Sequence, residues 1–291
     1  MAENDSLLSL LKAIDLFIKN LTAQGRSSNT IIAYRGDLTQ LTAYLKEAGV
    51  ASVDKVVAEN IEDFKKHLEK ENYTAKTISR KLNSLKSFFK FLEKEGVIEA
   101  DPTKNVSHPR LKPSLPKIFK PLEYRALRDA CRHDFRATAI VELMLQAGLR
   151  IGEVSNLRLA DIRQQEIIVQ PYESHPARKV PLNQAAKNAL DEYLKVRKEV
   201  KIDHVFITKT GRPLLIRNIR STLRRYFKHS GLEEAKVNDL RNTFIAYQLE
   251  SGVPLEVIAR IVGHKRISTT EKYLQLVEKP ANKRTIKLKE L

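Results

Sequence analysis

Apolar residues recur at helical spacing through the first hundred positions. Leu7, Leu10, Leu11, Ile14, Phe17, Ile18 and Leu21 form one stripe, the pattern of an amphipathic helix with a single buried face. Ser27, Ser28 and Asn29 offer N-caps to a second helix carrying Ile32, Tyr34, Leu38, Leu41 and Leu45, since short polar side chains satisfy the free amides of a first turn. The spacing predicts a third helix from about Ala58 to Glu71. A fourth starts at Thr74 or Thr77 and ends near Glu95, where Gly96 can close it. Ile78, Leu82, Leu85, Phe89 and Leu92 are its core stripe, while Lys76, Arg80, Asn83 and Ser87 share another side.

The pattern then breaks. Pro102, Pro109, Pro113, Pro116 and Pro121 are interleaved with Lys104, Arg110, Lys112, Lys117 and Lys120, with no acid between Pro102 and Pro121. Proline is excluded from helix interiors and central strands, so residues 103–120 read as an extended basic linker after a helical domain, residues 1–102. Beyond it, 121–279 read as a second domain and 280–291 as a basic tail with Lys283, Arg284, Lys287 and Lys289. In the second domain, Pro121 to Arg132 and Phe135 to Ala147 read as helices. Gly148 and Gly152 bracket a turn. Glu166–Gln170, Lys179–Leu182 and Val205–Thr208 read as strands, and helices follow to about Leu276. The expected fold is an all-α domain plus a mixed α+β, mainly helical, domain with a small antiparallel sheet.

Composition narrows the function. The chain has 291 residues, of which 42% are hydrophobic, enough for two domains with real cores. Its formal charge of +17 implies a polyanionic partner, nucleic acid ahead of an anionic membrane surface. The basic side of the fourth helix then reads either as a solvated face or as a surface entering the DNA major groove, which puts Lys76 and Arg80 among the DNA-binding candidates. From Val205 to Gly231 there are seven Lys or Arg and no acid, and Arg217, Arg220 and Arg224 share one helix face. Like charges that close repel by about a few tenths of a kcal/mol per pair, a cost that a polyanion removes. The single cysteine, Cys131, excludes a disulfide framework and a Cys-rich zinc site, and fits a reducing compartment. No HExxH pattern, secretory leader pattern or 18-residue apolar run is present.

Three motifs carry candidate chemistry: Ala147-Gly148-Leu149-Arg150-Ile151-Gly152-Glu153, Asn238-Asp239-Leu240-Arg241-Asn242-Thr243-Phe244, and Val262-Gly263-His264 with Tyr273 nine positions after the histidine. In this order, with Ser27-x-Asn29-Thr30-x-x-x-Tyr34 upstream, they resemble the tyrosine recombinase, or phage integrase, family, and among its members the compact XerC/XerD type. The resemblance spans nearly the whole chain. It implies a SAM-like core-binding domain and a catalytic domain that clamp duplex DNA, and a tetramer of this chain on two recombination sites. It further implies cleavage and rejoining through a covalent 3′-phosphotyrosine, with no cofactor. By that resemblance Tyr273 is the nucleophile, Arg150 and Arg241 clamp the phosphate, His264 donates to it, and Glu153 supports Arg150. The residue types suit the task. A phenol with a pKa of about 10 must be positioned and deprotonated, and guanidinium forks match phosphate oxygens.

The chain departs from the family in two places. Asn238 stands where the family has His or Lys, and an amide cannot shuttle a proton near neutral pH. Alignment on Val180-Pro181-Leu182 puts Glu173 where the family carries a hairpin lysine, which leaves the proton donor open between Lys179 and His175. Strand alternation sends Arg178 and Lys179 to opposite faces, so one of them can aim at DNA. The departures point to a mobile-element enzyme, and a reducing compartment with a DNA partner implies the cytoplasm, at the nucleoid. The alternatives are a recombinase-derived protein that binds without cutting, and a helix-turn-helix DNA-binding protein built on Val257–Tyr273.

Overall fold

A computed structural model describes residues 9–111, 114–172 and 175–277. Leu7, Lys112, Pro113, Glu173 and the basic tail lie outside the described residues. The chain divides into two compact units, Met1–Pro113 and Ser114–Leu291.

The first unit packs four helices: α1 (Leu10–Ala23), α2 (Ser28–Glu47), α3 (Ala58–Lys70) and α4 (Ala75–Lys94). Ser27 caps α2 by accepting from the Thr30 amide, and Thr74 caps α4 by accepting from Thr77. The core gathers Leu10, Phe17, Leu38, Leu41, Phe64, Phe88 and Phe89, each fully buried apolar side chain contributing about 1.5–3 kcal/mol. Two stripe residues differ from expectation. Leu11 is exposed because it sits about 100° around α1 from Leu10, beyond Ile18. Ile32 is 70% exposed, lying about 120° from Leu38 on α2.

The second unit holds α5 (Pro121–Cys131), α6 (Phe135–Gln146), α7 (Ile151–Asn156), β1 (Glu166–Val169), β2 (Arg178–Pro181), α8 (Gln184–Val196), α9 (Ile216–His229), α10 (Val237–Glu250), α11 (Leu255–Val262) and α12 (Ser268–Glu271). A 3₁₀ turn, Lys272–Leu276, follows. Helix α6 is buried along most of its length and packs against α8 and α10. The strands pair antiparallel, with Ile167 opposite Val180, Ile168 opposite Lys179 and Val169 opposite Arg178. Val205–Thr208, expected as a third strand, makes only isolated bridges, including Ile207 with Pro213. Proline has no amide to extend that ladder.

The stretch read as a linker is anchored at both ends. Thr103 and Val106 are buried in the first unit. Phe119 is buried in the second, where its amide donates to Thr243 Oγ1 at 2.8 Å. Aromatic and β-branched residues between the prolines carry enough apolar area to join each core.

Candidate active site

The site is built around the C-terminus of α11. The last carbonyls of a helix lack intrahelical partners and carry the negative end of its dipole. Gly263, at φ +67°, ends α11 in the left-handed conformation, and the His264 amide turns back to Ala259 O at 2.9 Å. Glycine takes that conformation without strain. The freed carbonyls face three arginines. Arg178 Nε donates to Ile261 O at 2.7 Å, and Arg150 Nη1 and Nη2 donate to Val262 O and Gly263 O at 3.0 and 2.7 Å. Arg241 Nη2 donates to Val262 O at 2.5 Å, and its Nη1 donates to Gly148 O.

One carboxylate stands among these guanidiniums. Glu153 accepts from Arg150 Nη1 at 2.8 Å, from the Arg150 amide at 2.8 Å, and from Arg178 Nη1 and Nη2 at 2.7 and 2.8 Å. Burial opposes ionisation of Glu153, but the two arginines outweigh it and hold its pKa at about 2. Three arginines against one carboxylate leave the cluster positive. Burial, then Arg150, push Arg241 down to about 9, so it remains charged at neutral pH.

Tight packing fixes the arginines. Gly148 has φ +63°, and a Cβ there would meet Cδ1 of Phe244 on α10 at 2.5 Å. Glycine at 148 therefore lets the turn before Arg150 pass close to the helix that carries Arg241.

His264 Nδ1 lies 2.8 Å from the buried Thr270 Oγ1. Burial, then Arg241 and Arg150, lower its pKa to about 3, so the imidazole is neutral. Its ring stacks beside Tyr273, centroids 6.4 Å apart. Tyr273 is 7% exposed and donates to Asn242 Oδ1 at 2.8 Å. Burial raises its pKa and the nearby Arg241 works against that rise. Asn242 is held in turn: Asn238 Nδ2 donates to its Oδ1 at 3.0 Å, and its own Nδ2 donates to Lys117 O at 3.1 Å.

The two candidates for proton donor part company here. Lys179 is on the outer face of β2, where Nζ pairs with Glu166 at 3.1 Å and the side chain is 73% exposed. The register pairs it with the half-exposed Ile168, away from the face that Arg178 shares with buried Val169 and Val180. Alternation thus gives the inner face to Arg178 and leaves Lys179 outside it. His175 lies near Arg150, Lys265 and Glu153, with Nδ1 buried and unpartnered; burial, then Arg150 and Lys265, lower its pKa.

The DNA-binding candidates are exposed. Lys76 and Arg80 lie on α4, although Arg80 is tied at Nη1 and Nη2 to the buried Asp37. Arg217, Arg220 and Arg224 line the exposed face of α9, opposite buried Ile219, Leu223 and Phe227.

Asn242 and Thr270 were not singled out from sequence, and Arg178 was weighed there only against Lys179 as the residue that faces DNA. Arg178 was legible from alternation with the buried Val180, and Asn242 from its place one helical turn after Asn238. Thr270 gave no signal.

This arginine-rich cluster beside a tyrosine and a neutral histidine has the composition of a phosphate-handling site. Residues 117–279 match the phage integrase family, and residues 14–96 match the phage integrase N-terminal SAM-like domain. The chain belongs to the phage integrase family. It is 32% identical to tyrosine recombinase XerC of Thermodesulfovibrio yellowstonii, over 88% of this chain and 89% of that one. It is 29% identical to tyrosine recombinase XerD of Halalkalibacterium halodurans, over 88% and 89%. Its fold is similar to that of a lambda integrase tetramer bound to a Holliday junction, with a TM-score of 0.75 and 18% identity over 89% of this chain and 78% of that one.

Proposed function

We propose that Tyr273 is the nucleophile with which this chain, a site-specific DNA recombinase of the tyrosine class, cleaves and rejoins duplex DNA. The Tyr273 oxygen gives up its proton and forms a bond to the scissile phosphorus, the bond to the 5′-oxygen breaks and that oxygen takes up a proton, so protons balance and a 3′-phosphotyrosine remains. The new ester keeps the energy of the broken one, so a DNA 5′-hydroxyl can reverse the step. Transition-state charge on the phosphate oxygens falls to Arg150 and Arg241, which retain N–H donors beyond those spent on Glu153, Gly148 and the α11 carbonyls. With Thr270 donating to His264 Nδ1, the neutral imidazole carries its proton on Nε2 and donates it as a hydrogen bond. Arg178 and Glu153 hold Arg150 in place.

The observation that carries this reading is the end of α11, where Arg150, Arg178 and Arg241 converge next to His264 and Tyr273. Tyr273 starts protonated and bonded to Asn242, so attack requires that hydrogen bond to break. His175 is the hairpin residue placed beside the clamp; its imidazole, neutral near pH 7 because its pKa is lowered, takes up the proton that Tyr273 releases and passes it to the 5′-oxygen. Asn238 orients Asn242 and thereby the phenol. The lambda integrase relative is a tetramer on a Holliday junction, which supports a tetramer of this chain on two sites. A DNA substrate supports a cytoplasmic location at the nucleoid. The setting we favour is a mobile element, since Asn238 departs from the family pattern.

Covalent trapping tests the assignment. Nicked suicide duplexes are incubated with the protein and resolved on denaturing gels beside Tyr273→Phe. A slow band that the variant lacks is expected. A duplex that is bound yet gives no band would mean a chain that binds without cutting.

A further inference from the structure

A groove of about 370 Å³ lies between α9 and the start of α10. Its lining is of two kinds. Met144, Ile151 and Phe227 give it apolar walls, and Arg220, Arg224 and Lys236 give it cations. Among the described residues, no aspartate or glutamate lines it and none forms an ion pair with any of the three cations. Arg220 and Arg224 are four residues apart on α9, so their side chains are neighbours on one face. Unpaired like charges held together cost stability unless an anion joins them.

Two residues that line the groove adjoin active-site residues along the chain. Ile151 follows Arg150 directly. Asn238, which also lines the groove, sits one helical turn before Arg241 and donates to the amide that accepts from Tyr273.

We propose that this groove binds one deoxyribose-phosphate unit of the DNA strand, neighbouring the phosphate clamped by Arg150 and Arg241, and so sets the register of the strand on the nucleophile. The inference rests on the recombinase reading above and adds a subsite to it. The apolar walls fit the C–H faces of a sugar, and the forks of Arg220 and Arg224 with the Lys236 ammonium fit the phosphate oxygens. A free inorganic anion would use the cations and leave the apolar walls without a partner, so the chemistry favours the nucleotide backbone. Asn238 belongs both to the groove and to the hydrogen bonds behind Tyr273, so strand seating and nucleophile position share one amide.

The experiment scans the backbone of a suicide duplex that gives the Tyr273 adduct, replacing one phosphate at a time with a neutral methylphosphonate. The native protein is compared with the double variant Arg220→Gln/Arg224→Gln, with Lys236→Gln, and with Arg220→Lys/Arg224→Lys as the charge-conserving control. Thermal unfolding of each variant checks that it is folded. For the native protein, about a tenfold affinity loss is expected at one or two positions flanking the cleaved bond. The Gln variants should show no further loss at those positions, and a slope of log K against log salt smaller by about 0.9 for each phosphate contact removed. The Lys/Lys control should keep the native slope. The same neutral-phosphate profile in the native protein and the Gln variants would overturn the subsite while leaving the recombinase reading intact. Displacement of DNA by millimolar inorganic phosphate, but not by sulfate at equal ionic strength, would make the groove a free-anion site and also overturn it. Absence of an adduct from the native protein on every bound duplex would overturn the recombinase reading, and this inference with it.

Discussion

Each unit of the molecule contains a buried carboxylate that holds two cations. In the first, Asp37 on α2 accepts from Arg80, from Lys81 at 2.9 Å and from Ser84 at 2.7 Å, all on α4. In the second, Glu153 accepts from Arg150 and Arg178, and the end of α11 adds Arg241. The difference lies in what each cluster does with its donors. The Asp37 cluster joins two helices and leaves Arg80 half in solvent. The Glu153 cluster is buried, and helix carbonyls share the work of the carboxylate. A helix terminus can therefore gather more positive charge than the nearby acids neutralise, which a site for a phosphate transition state requires.

The largest expected contrast comes from removing the two acids. Glu153→Ala leaves two largely buried guanidiniums facing each other, a change that costs about 3–5 kcal/mol, and it should abolish adduct formation. Asp37→Ala should cost less, about 1–3 kcal/mol, because Arg80 is 48% exposed and Lys81 keeps Gln40 at 2.7 Å. Urea unfolding followed by amide exchange in α4 and in α11 reads the two units separately. Equal losses would mean that the helix end contributes nothing special.

Within the second cluster, His175 and Lys179 separate catalysis from surface charge. His175→Ala should slow adduct formation by about 10²–10⁴-fold, as loss of a general acid does. A 5′-bridging sulfur at the cleaved bond should restore the rate, since a thiolate leaves without protonation. Lys179→Ala should stay near the native rate, its Nζ being spent on Glu166. A slow Lys179 variant rescued by sulfur would return the role to the lysine.

The two clusters should also part on acidification. His264 has its pKa lowered to about 3 in the folded state, so between about 6.5 and 3 the unfolded chain binds the extra proton. The second unit therefore loses stability as pH falls through that range. Glu153, held at about 2 against 4.5 when unfolded, adds a further loss as pH falls from 4.5 towards 2. Asp37 is lowered from 3.8, burial being outweighed by Arg80, Lys81 and Ser84, so the Asp37 cluster weakens only as pH falls below about that value. Urea midpoints measured from pH 7 to 3 should fall first for α11, and His264→Gln should flatten the early part of that fall.

The helical unit was legible because its apolar residues repeat at 3.6, and the misplaced Leu11 and Ile32 are those furthest around the helix from the stripe. The pairing of Glu153 with Arg150 was also legible, three residues apart on one turn. Arg178 was harder. Its contacts depend on the register of a four-residue strand and on where α11 ends, both set by packing between segments far apart in sequence. The buried hydrogen bond of Tyr273 to Asn242 depends likewise on α10 meeting the turn after α12, which no local pattern encodes. Val205–Thr208 has strand composition, but its neighbour Pro213 denied it a ladder.

The smallest expected effect tests whether the Asp37 cluster presents a charge or neutralises it. Lys76 and Arg80 share the exposed side of α4, but of the two only Arg80 has a carboxylate partner among the described residues. If both meet phosphates, Lys76→Ala should lower the slope of log K against log salt by about 0.9. Arg80→Ala should lower it by less, because the Asp37 charge is released to face the same DNA and Lys81 alone must balance it. Asp37→Asn should then raise DNA affinity slightly at low salt, since it frees one positive charge for the backbone. Fluorescence anisotropy on one duplex between 50 and 200 mM salt, about the range over which such contacts change affinity most, measures all three. Identical slopes for the Lys76 and Arg80 variants would show that Asp37 positions Arg80 without drawing on its charge.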